Sequence, residues 1–159
     1  MEAPVSAVRK AQGVQCLYFD IFATQSQTAF MSQLSGALLE AFPQKKAIGK
    51  RVWEFITGLR PVIGYDNLTG KPEVSFQFER PKSLDQFLQS LFAFLEGLGA
   101  TLVVAVDEFQ QIAEYPEDNT EALLRTIIQP LRHVRFIFSG SSRHVLSQRF
   151  TSSTRPFYG

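Results

Sequence analysis

The chain has 159 residues, of which 45% are hydrophobic, and its 16 basic and 15 acidic residues give a formal net charge of +1. This length and composition suit one domain with a sizeable core, and they lack the charge bias of a disordered or dedicated nucleic-acid-binding chain. Cys16 is the single cysteine, which excludes a disulfide framework and a cysteine-based zinc cluster. No apolar run approaches the roughly 18 residues of a membrane span, and no secretory pattern opens the chain, so we expect a cytoplasmic protein.

The first predicted elements are a strand and a helix that follow a polar N-terminal segment, residues 1–13. The strand sequence VQCLYFDI, Val14 to Ile21, is apolar almost throughout, as in a strand covered on both faces. In the next segment apolar residues recur at helical spacing, with Ser26 or Thr24 as the candidate cap and Pro43 as the stop. The pattern therefore predicts a strand followed by an amphipathic helix.

The middle of the chain combines helical and hairpin signals. Residues 44–58 carry a basic face and an apolar one, which favours a short helix. The turn-rich sequence DNLTGKP, residues 66–72, lies between two extended segments, and VSFQF after it alternates apolar and polar residues. These features predict a β-hairpin inserted beside the main sheet. A helix with one apolar face follows, over residues 83–96.

The last third of the chain alternates strands and helices. Strands are predicted at TLVVAVD, residues 101–107, and at VRFIFSG, residues 134–140, with helices around residues 120–131 and 142–150. Such alternation implies parallel strands joined by right-handed crossovers. We therefore expect residues 14–159 to form one three-layer α/β domain with an inserted hairpin.

Polar side chains end three of the predicted strands. Asp20 ends the first, Asp107 and Glu108 end the second, and Ser139 and Ser141 lie at the end of the third. Parallel sheets bind their ligands at the carboxyl ends of the strands. Phosphoryl transfer would use such a set of groups. One carboxylate holds magnesium through water, a second polarises the attacking water, and a neutral group lies near the terminal phosphate. The structural alternative is that aspartate caps the next helix and that the serines form a turn.

Several of these segments together resemble a known family. The sequences LVVAVDEFQQI, VRFIFSGSSRHVLSQRF, RPFYG and CLYFDIFATQSQTAFMSQLSGALLEAF are similar to the archaeal-type, AAA-like P-loop ATPases of prokaryotes, relatives of the STAND signalling ATPases. The resemblance implies a P-loop NTPase core in which VVAVDE is the Walker B motif, with magnesium and ATP as cofactors. It implies that Asp107 is the magnesium-associated carboxylate and Glu108 the water-polarising one. By the same resemblance Ser141, or less favourably Ser139, is the sensor, and Arg143 approaches the phosphates.

The phosphate-binding loop of that family, G-x-x-x-x-G-K-[ST], does not occur in the chain. The sequence TGKPEV contains Gly-Lys, but Pro72 stands where serine or threonine is required. The resemblance therefore implies a middle portion of a regulatory or signalling ATPase, and we expect neither tight ATP binding nor hydrolysis from this chain alone. In the family's sheet the missing strand lies beside the sensor strand. We therefore expect VRFIFS to be an exposed edge that favours self-association.

Two further interpretations belong to other classes of protein. A degenerate, non-catalytic domain of this fold would bind a protein partner and keep the acidic pair only by descent. A magnesium-dependent, nuclease-like enzyme would use Asp20, Asp107 and Glu108. His133 and His144 are not at metal-ligand spacing, and we expect both at the surface or beside a strand.

Overall fold

The computed structural model describes residues 13–77 and 81–141, with the backbone alone for residues 81–83. It confirms the predicted α/β fold, a parallel sheet with a separate hairpin. The predicted final helix and most of the N-terminal segment lie outside the described residues. No helix in the described ranges is both long and apolar enough to cross a membrane. In chain order the elements are β1 (Val14–Asp20), α1 (Gln27–Ala41), α2 (Ala47–Gly58), β2 (Val62–Tyr65), β3 (Pro72–Ser75), α3 (Pro81–Glu96), β4 (Thr101–Asp107), a 3₁₀ helix (Phe109–Glu114), α4 (Thr120–Ile128) and β5 (Val134–Phe138).

The main sheet is parallel, with strand order β1-β4-β5 among the described residues. Asp20 is the Cα partner of Asp107, and Val106 is the partner of Phe138. The three strands therefore end nearly level with one another. This register brings their carboxyl ends, and the polar residues that follow them, to one edge of the sheet.

One face of the sheet is buried in the main core. Leu17 and Phe19 of β1 alternate inward, and Phe19 packs edge-on against Phe30 of α1 with ring centroids 5.7 Å apart. Side chains of the opposite face are less covered, with Tyr18 38% and Ile137 56% exposed. The period of two in β1 thus separates a core face from a face that the described residues cover only in part.

Helix α1 begins and ends where its sequence predicts. The Ser26 hydroxyl accepts a hydrogen bond from the Ala29 N–H at 3.2 Å, which confirms this residue as the N-cap. The helix ends before Pro43, and α2 then folds back tightly. A Cβ atom at Gly49 would lie 1.9 Å from the Pro43 carbonyl oxygen, so the absence of a side chain permits this approach.

The predicted hairpin is formed by β2 and β3, which pair antiparallel. The second strand begins earlier than predicted, at Pro72 inside the predicted turn, and ends at Ser75. In its turn, Asp66 Oδ1 accepts hydrogen bonds from the Leu68 and Thr69 N–H groups at 2.8 and 2.6 Å. The hairpin is joined to α1 by an ion pair of Lys71 with Glu40 at 3.1 Å. Its position beside α1 and β1 is important for the cleft described below.

Candidate functional site

The candidate site lies where β4 and β5 end. Beyond the assigned strands, the Ser139 N–H donates to the Val106 carbonyl at 3.0 Å, and the Phe109 N–H donates to the Ser139 carbonyl at 2.9 Å. These two bonds continue the ladder past the last residue of β5. They hold the segment that contains Ser139 beside Asp107.

Asp107 accepts hydrogen bonds at both carboxylate oxygens. Oδ1 accepts from the Ser139 hydroxyl at 2.8 Å and from the Glu108 N–H at 2.9 Å, and Oδ2 accepts from the Tyr18 hydroxyl at 2.9 Å. The hydrogen bond from Ser139 is the largest influence on the pKa of Asp107 and lowers it. Burial raises this pKa, and the hydrogen bonds from Tyr18 and the Glu108 N–H lower it further. Asp107 is therefore an ionised, oriented carboxylate at neutral pH.

Tyr18 is the reciprocal partner in this arrangement. Burial, the hydrogen bond to Asp107 and the charges of nearby carboxylates raise the pKa of Tyr18 to about 12. Its hydroxyl therefore keeps its proton at neutral pH and donates a hydrogen bond to Asp107 Oδ2. Because Tyr18 belongs to β1, this bond connects the first strand to the acidic end of β4.

Glu108 adopts the left-handed backbone conformation, with φ 54° and ψ 38°. This conformation costs a non-glycine residue roughly 1–2 kcal/mol, and such strain is typical of functional positions. Glu108 Oε2 accepts hydrogen bonds from the Ser141 hydroxyl at 2.9 Å and from the Gln110 side-chain amide. The neighbouring acids thus contact different serines, Asp107 with Ser139 and Glu108 with Ser141.

The structure brings together Asp107, Glu108, Ser141 and the alternative sensor Ser139, four of the five residues that the resemblance assigned to the site. Their catalytic roles stay predictions. The fifth, Arg143, lies outside the described residues. Asp20 is level with Asp107, but its Oδ1 accepts the Phe22 N–H at 2.7 Å in a local turn.

Tyr18 and Gln110 contact the acidic pair, although the sequence analysis did not single them out. The alternation along β1 places Tyr18 on the same face as Asp20, and this pattern could have identified it. Gln110 carries no comparable signal, because its contact depends on the turn of the chain at Glu108.

A buried polar network connects the start of α1 to the segment after the acidic pair. The Thr24 hydroxyl is hydrogen bonded to the Tyr115 hydroxyl, and the Gln27 amide donates to the Thr120 hydroxyl at 2.9 Å. Burial raises the pKa of Tyr115 to about 12, while the bond to Thr24 opposes this rise. Buried polar groups that are paired in this way hold neighbouring segments in one arrangement, here beside the site.

A magnesium ion is implied only by the resemblance, and the donor atoms can be compared with its requirements. Among residues 13–77 and 81–141 no group of three or more His, Cys, Asp or Glu side chains could hold a metal. Magnesium, however, commonly keeps several waters and uses only one or two protein carboxylates together with substrate phosphates. A carboxylate offers about four acceptor sites. Protein donors fill three of the acceptor sites of Asp107, two at Oδ1 and one at Oδ2. The residues therefore fit an ion that is held through water at Oδ2.

Comparison with known proteins identifies the fold. No protein-family model matches the chain, and no curated protein matches it in sequence. Among solved structures it is similar to a Walker-type ATPase of Pyrococcus abyssi, with 19% sequence identity and a TM-score of 0.51. The match covers 91% of this chain and 39% of that protein. The chain thus has a P-loop ATPase-like fold and spans well under half of the protein it matches.

Proposed function

We propose that the chain is the Walker B and sensor portion of a nucleotide-dependent regulatory or signalling ATPase. The observation that carries this proposal is the acidic pair Asp107–Glu108 at the carboxyl end of β4, with each carboxylate bonded to a serine at the end of β5. The likeness to a Walker-type ATPase supports the same kind of fold. The resemblance of the VDEF and SGSS segments supports the same assignment of residues.

Each residue has a distinct part in the proposed reaction. Asp107, ionised and oriented by Ser139 and Tyr18, would hold a magnesium ion through water. The ion, when bound, neutralises charge on the nucleotide phosphates. Glu108 accepts a hydrogen bond from the attacking water and so orients that water. Ser141, bonded to Glu108 in this structure, would donate to the terminal phosphate of a bound nucleotide. The resemblance assigns Arg143 to the same phosphates.

The printed sequence contains no phosphate-binding loop, whose backbone N–H groups and lysine hold the β- and γ-phosphates in P-loop NTPases. We therefore propose that this chain alone neither binds MgATP tightly nor hydrolyses it. Calorimetric titration of the 159-residue chain with MgATP should show no binding in the micromolar range. A micromolar dissociation constant would overturn this part of the proposal.

The test of the catalytic assignment uses the native protein that carries this segment, recovered from its own host with an antibody to residues 13–141. Glu108→Gln should lower its ATP hydrolysis by about 100-fold or more, because the amide cannot accept a proton or polarise water as the carboxylate does. Glu114→Gln, an exposed change at the end of the 3₁₀ helix, should leave hydrolysis unchanged. Equal activity in the two variants would contradict the role of Glu108.

A non-catalytic interaction module is a second candidate, and one observation favours it. Protein donors already satisfy much of the acidic pair: Ser139 and Tyr18 bind Asp107, and Ser141 and Gln110 bind Glu108. Protein donors therefore hold both carboxylates in position, as a purely structural role requires. If the native protein hydrolyses no ATP, and partner capture survives replacement of both acids by their amides, this second function is the correct one.

A further inference from the structure

A large cleft lies away from the serine pair, between β1, α1 and the hairpin. Its volume is about 990 Å³, at the upper end of the roughly 300–1,000 Å³ of ligand sites. The cleft opens beside the acidic edge of the sheet, and Tyr18 belongs both to its wall and to the hydrogen-bond partners of Asp107. None of the functions proposed above uses it.

Two walls of this cleft are strand edges. Tyr18, Phe19 and Asp20 of β1 all line it, although successive side chains of a strand point to opposite faces. A wall made by consecutive residues therefore follows the edge of the strand. On the other side the consecutive residues 71–75, which include β3, form the second wall in the same way.

Both edges lack a strand partner within the described part of the chain. β1 pairs with β4 alone, and β3 pairs with β2 alone. An unpaired edge presents a row of N–H and C=O groups that can pair with an added strand. The edge of β1 is therefore suited to an extended polypeptide. Strand β3 begins at Pro72, which has no N–H, and packs against Gly36 of α1, so it forms the opposite wall.

The floor of the cleft is one face of α1 on which small side chains recur. Ala29, Gly36 and Ala37 contribute to it, with Ser32 and Gln33 between them. Residues separated by three, four or seven positions share a helix face. Part of this face already carries β3, because a Cβ atom at Gly36 would lie 3.1 Å from the Pro72 carbonyl oxygen. The small side chains there admit the hairpin, and the rest of the face lines the cleft.

The charge of the walls indicates which extended segment fits. Lys71 is paired with Glu40, so these charges offset one another. Asp20, Asp66 and Glu73 are the other charged residues that line the cleft, and all three are acidic. A basic segment would thus meet complementary charge, and an acidic one would be repelled.

From these features we infer that the cleft binds an extended, basic peptide segment of a partner protein, which adds a strand along the free edge of β1. Backbone pairing supplies the register, and the acidic residues Asp20, Asp66 and Glu73 select lysine or arginine side chains. The segment would lie beside Tyr18, the residue that orients Asp107. This inference does not depend on whether the chain belongs to an active ATPase.

The test measures the binding of three fluorescent eight-residue peptides to the complete 159-residue chain. The first alternates lysine with valine, the second alternates glutamate with valine, and the third is the first peptide with a methyl group on every backbone nitrogen. The lysine–valine peptide should bind at least about tenfold more tightly than either other peptide, because only it combines basic charge with backbone N–H donors. Equal binding of the lysine–valine peptide and its N-methylated form would overturn strand addition.

Variants of the cleft make the same test specific to this surface. Gln33→Trp should fill the cleft and weaken the binding of the lysine–valine peptide by about tenfold. Glu73→Lys should weaken the binding of the same peptide by about fivefold, because it reverses the charge. Gln86→Trp and Glu54→Lys are the matched controls, since both residues are exposed and neither lines the cleft. Circular dichroism verifies that each variant is folded.

Amide hydrogen exchange provides the second readout. The peptide should slow exchange at backbone N–H groups of β1 and β3 while leaving β5 unchanged. Unchanged exchange in β1, or equal effects of the cleft variants and their controls, would overturn the inference. If instead a second copy of this chain occupies the cleft, Gln33→Trp will abolish self-association, and the proposal of a separate basic partner fails.

Discussion

At the scale of single residues, the site depends on hydrogen bonds that divide the acidic pair. Asp107 is held by Ser139 and Tyr18, whereas the left-handed backbone at Glu108 directs the second carboxylate to Ser141. A residue that keeps an unfavourable backbone conformation needs compensating contacts, and Glu108 has them. The strain therefore has a measurable consequence for stability.

Replacing Glu108 by glycine or alanine should separate the backbone strain from the side chain. Both variants lose the carboxylate, but glycine tolerates φ 54° whereas alanine does not, so Glu108→Gly should be more stable than Glu108→Ala by about 1 kcal/mol. Urea unfolding measures the difference. At Glu114, in the 3₁₀ helix without positive φ, the order of the same two variants should reverse. The same order at both positions would contradict the strain.

Glu96 is a second residue whose contacts predict a measurable effect. Burial raises the pKa of its carboxyl. Hydrogen bonds outweigh this effect and lower the pKa from 4.5 to about 2; they come from the backbone N–H groups of Arg132, His133 and Val134 and from the His133 ring. The folded state thus favours the ionised form. This stabilisation is complete above about pH 4.5 and is lost as pH falls toward 2.

Glu96→Gln should lower the free energy of unfolding at pH 7 and reduce its dependence on pH between 4.5 and 2. The glutamine keeps one acceptor oxygen but places an amide against backbone donors. Urea unfolding at pH 7 and pH 3 measures both effects, with Glu54→Gln, part of an exposed pair with Lys50, as the control. An unchanged pH dependence would show that Glu96 does not hold the start of β5.

At the scale of elements, the contact between the end of α1 and the start of α2 permits no side chain at one position. A Cβ atom at Gly49 would lie 2.6 Å from the Pro43 carbonyl carbon and 2.9 Å from the Phe42 carbonyl oxygen. Both atoms belong to the backbone, so the helices must separate before a methyl group fits. The close approach of α2 to α1 therefore depends on glycine here.

Gly49→Ala should destabilise the protein by about 2 kcal/mol, because overpacking outweighs the higher helix propensity of alanine. Gly58→Ala, in the same helix with no atom within 4 Å of the added Cβ, should be neutral or slightly stabilising. Thermal or urea unfolding of the two variants tests this contrast. Similar stability of both variants would mean that α2 moves freely relative to α1.

At the scale of the whole molecule, β5 is an edge of the sheet in the described part of the chain. Its Ile137 side chain is 56% exposed, and β4 is its only strand partner among those residues. An apolar, unpaired edge favours pairing with another chain. Self-association through this edge stays a prediction, which light scattering tests directly.

The mean mass of the wild-type chain should increase with concentration. Ile137→Lys should shift the mean mass toward that of the monomer, because lysine on an edge strand opposes pairing. Val62→Lys is the matched control, since Val62 is 64% exposed but lies in the hairpin. A wild-type monomer at high concentration, or equal effects of both substitutions, would contradict association through β5.

The sequence by itself determined the elements and the position of the acidic pair. Within the described residues, hydrophobic spacing identified the strands and α-helices, and turn residues identified the hairpin. Alternation of strands with helices implied a parallel sheet. A parallel sheet in turn places Asp107 and Glu108 at a shared edge with the serines. These features depend on short stretches of chain, whose local pattern carries the information.

Only the tertiary structure decided which side chains meet. Tyr18 and Asp107 are 89 positions apart, and their bond depends on the register of β1 against β4. The assignment of Ser139 to Asp107 and of Ser141 to Glu108 depends on a left-handed residue that no local pattern indicated. The cleft likewise arises because the hairpin packs on α1 beside β1. Such contacts follow from register and packing between distant segments, which local periodicity does not encode.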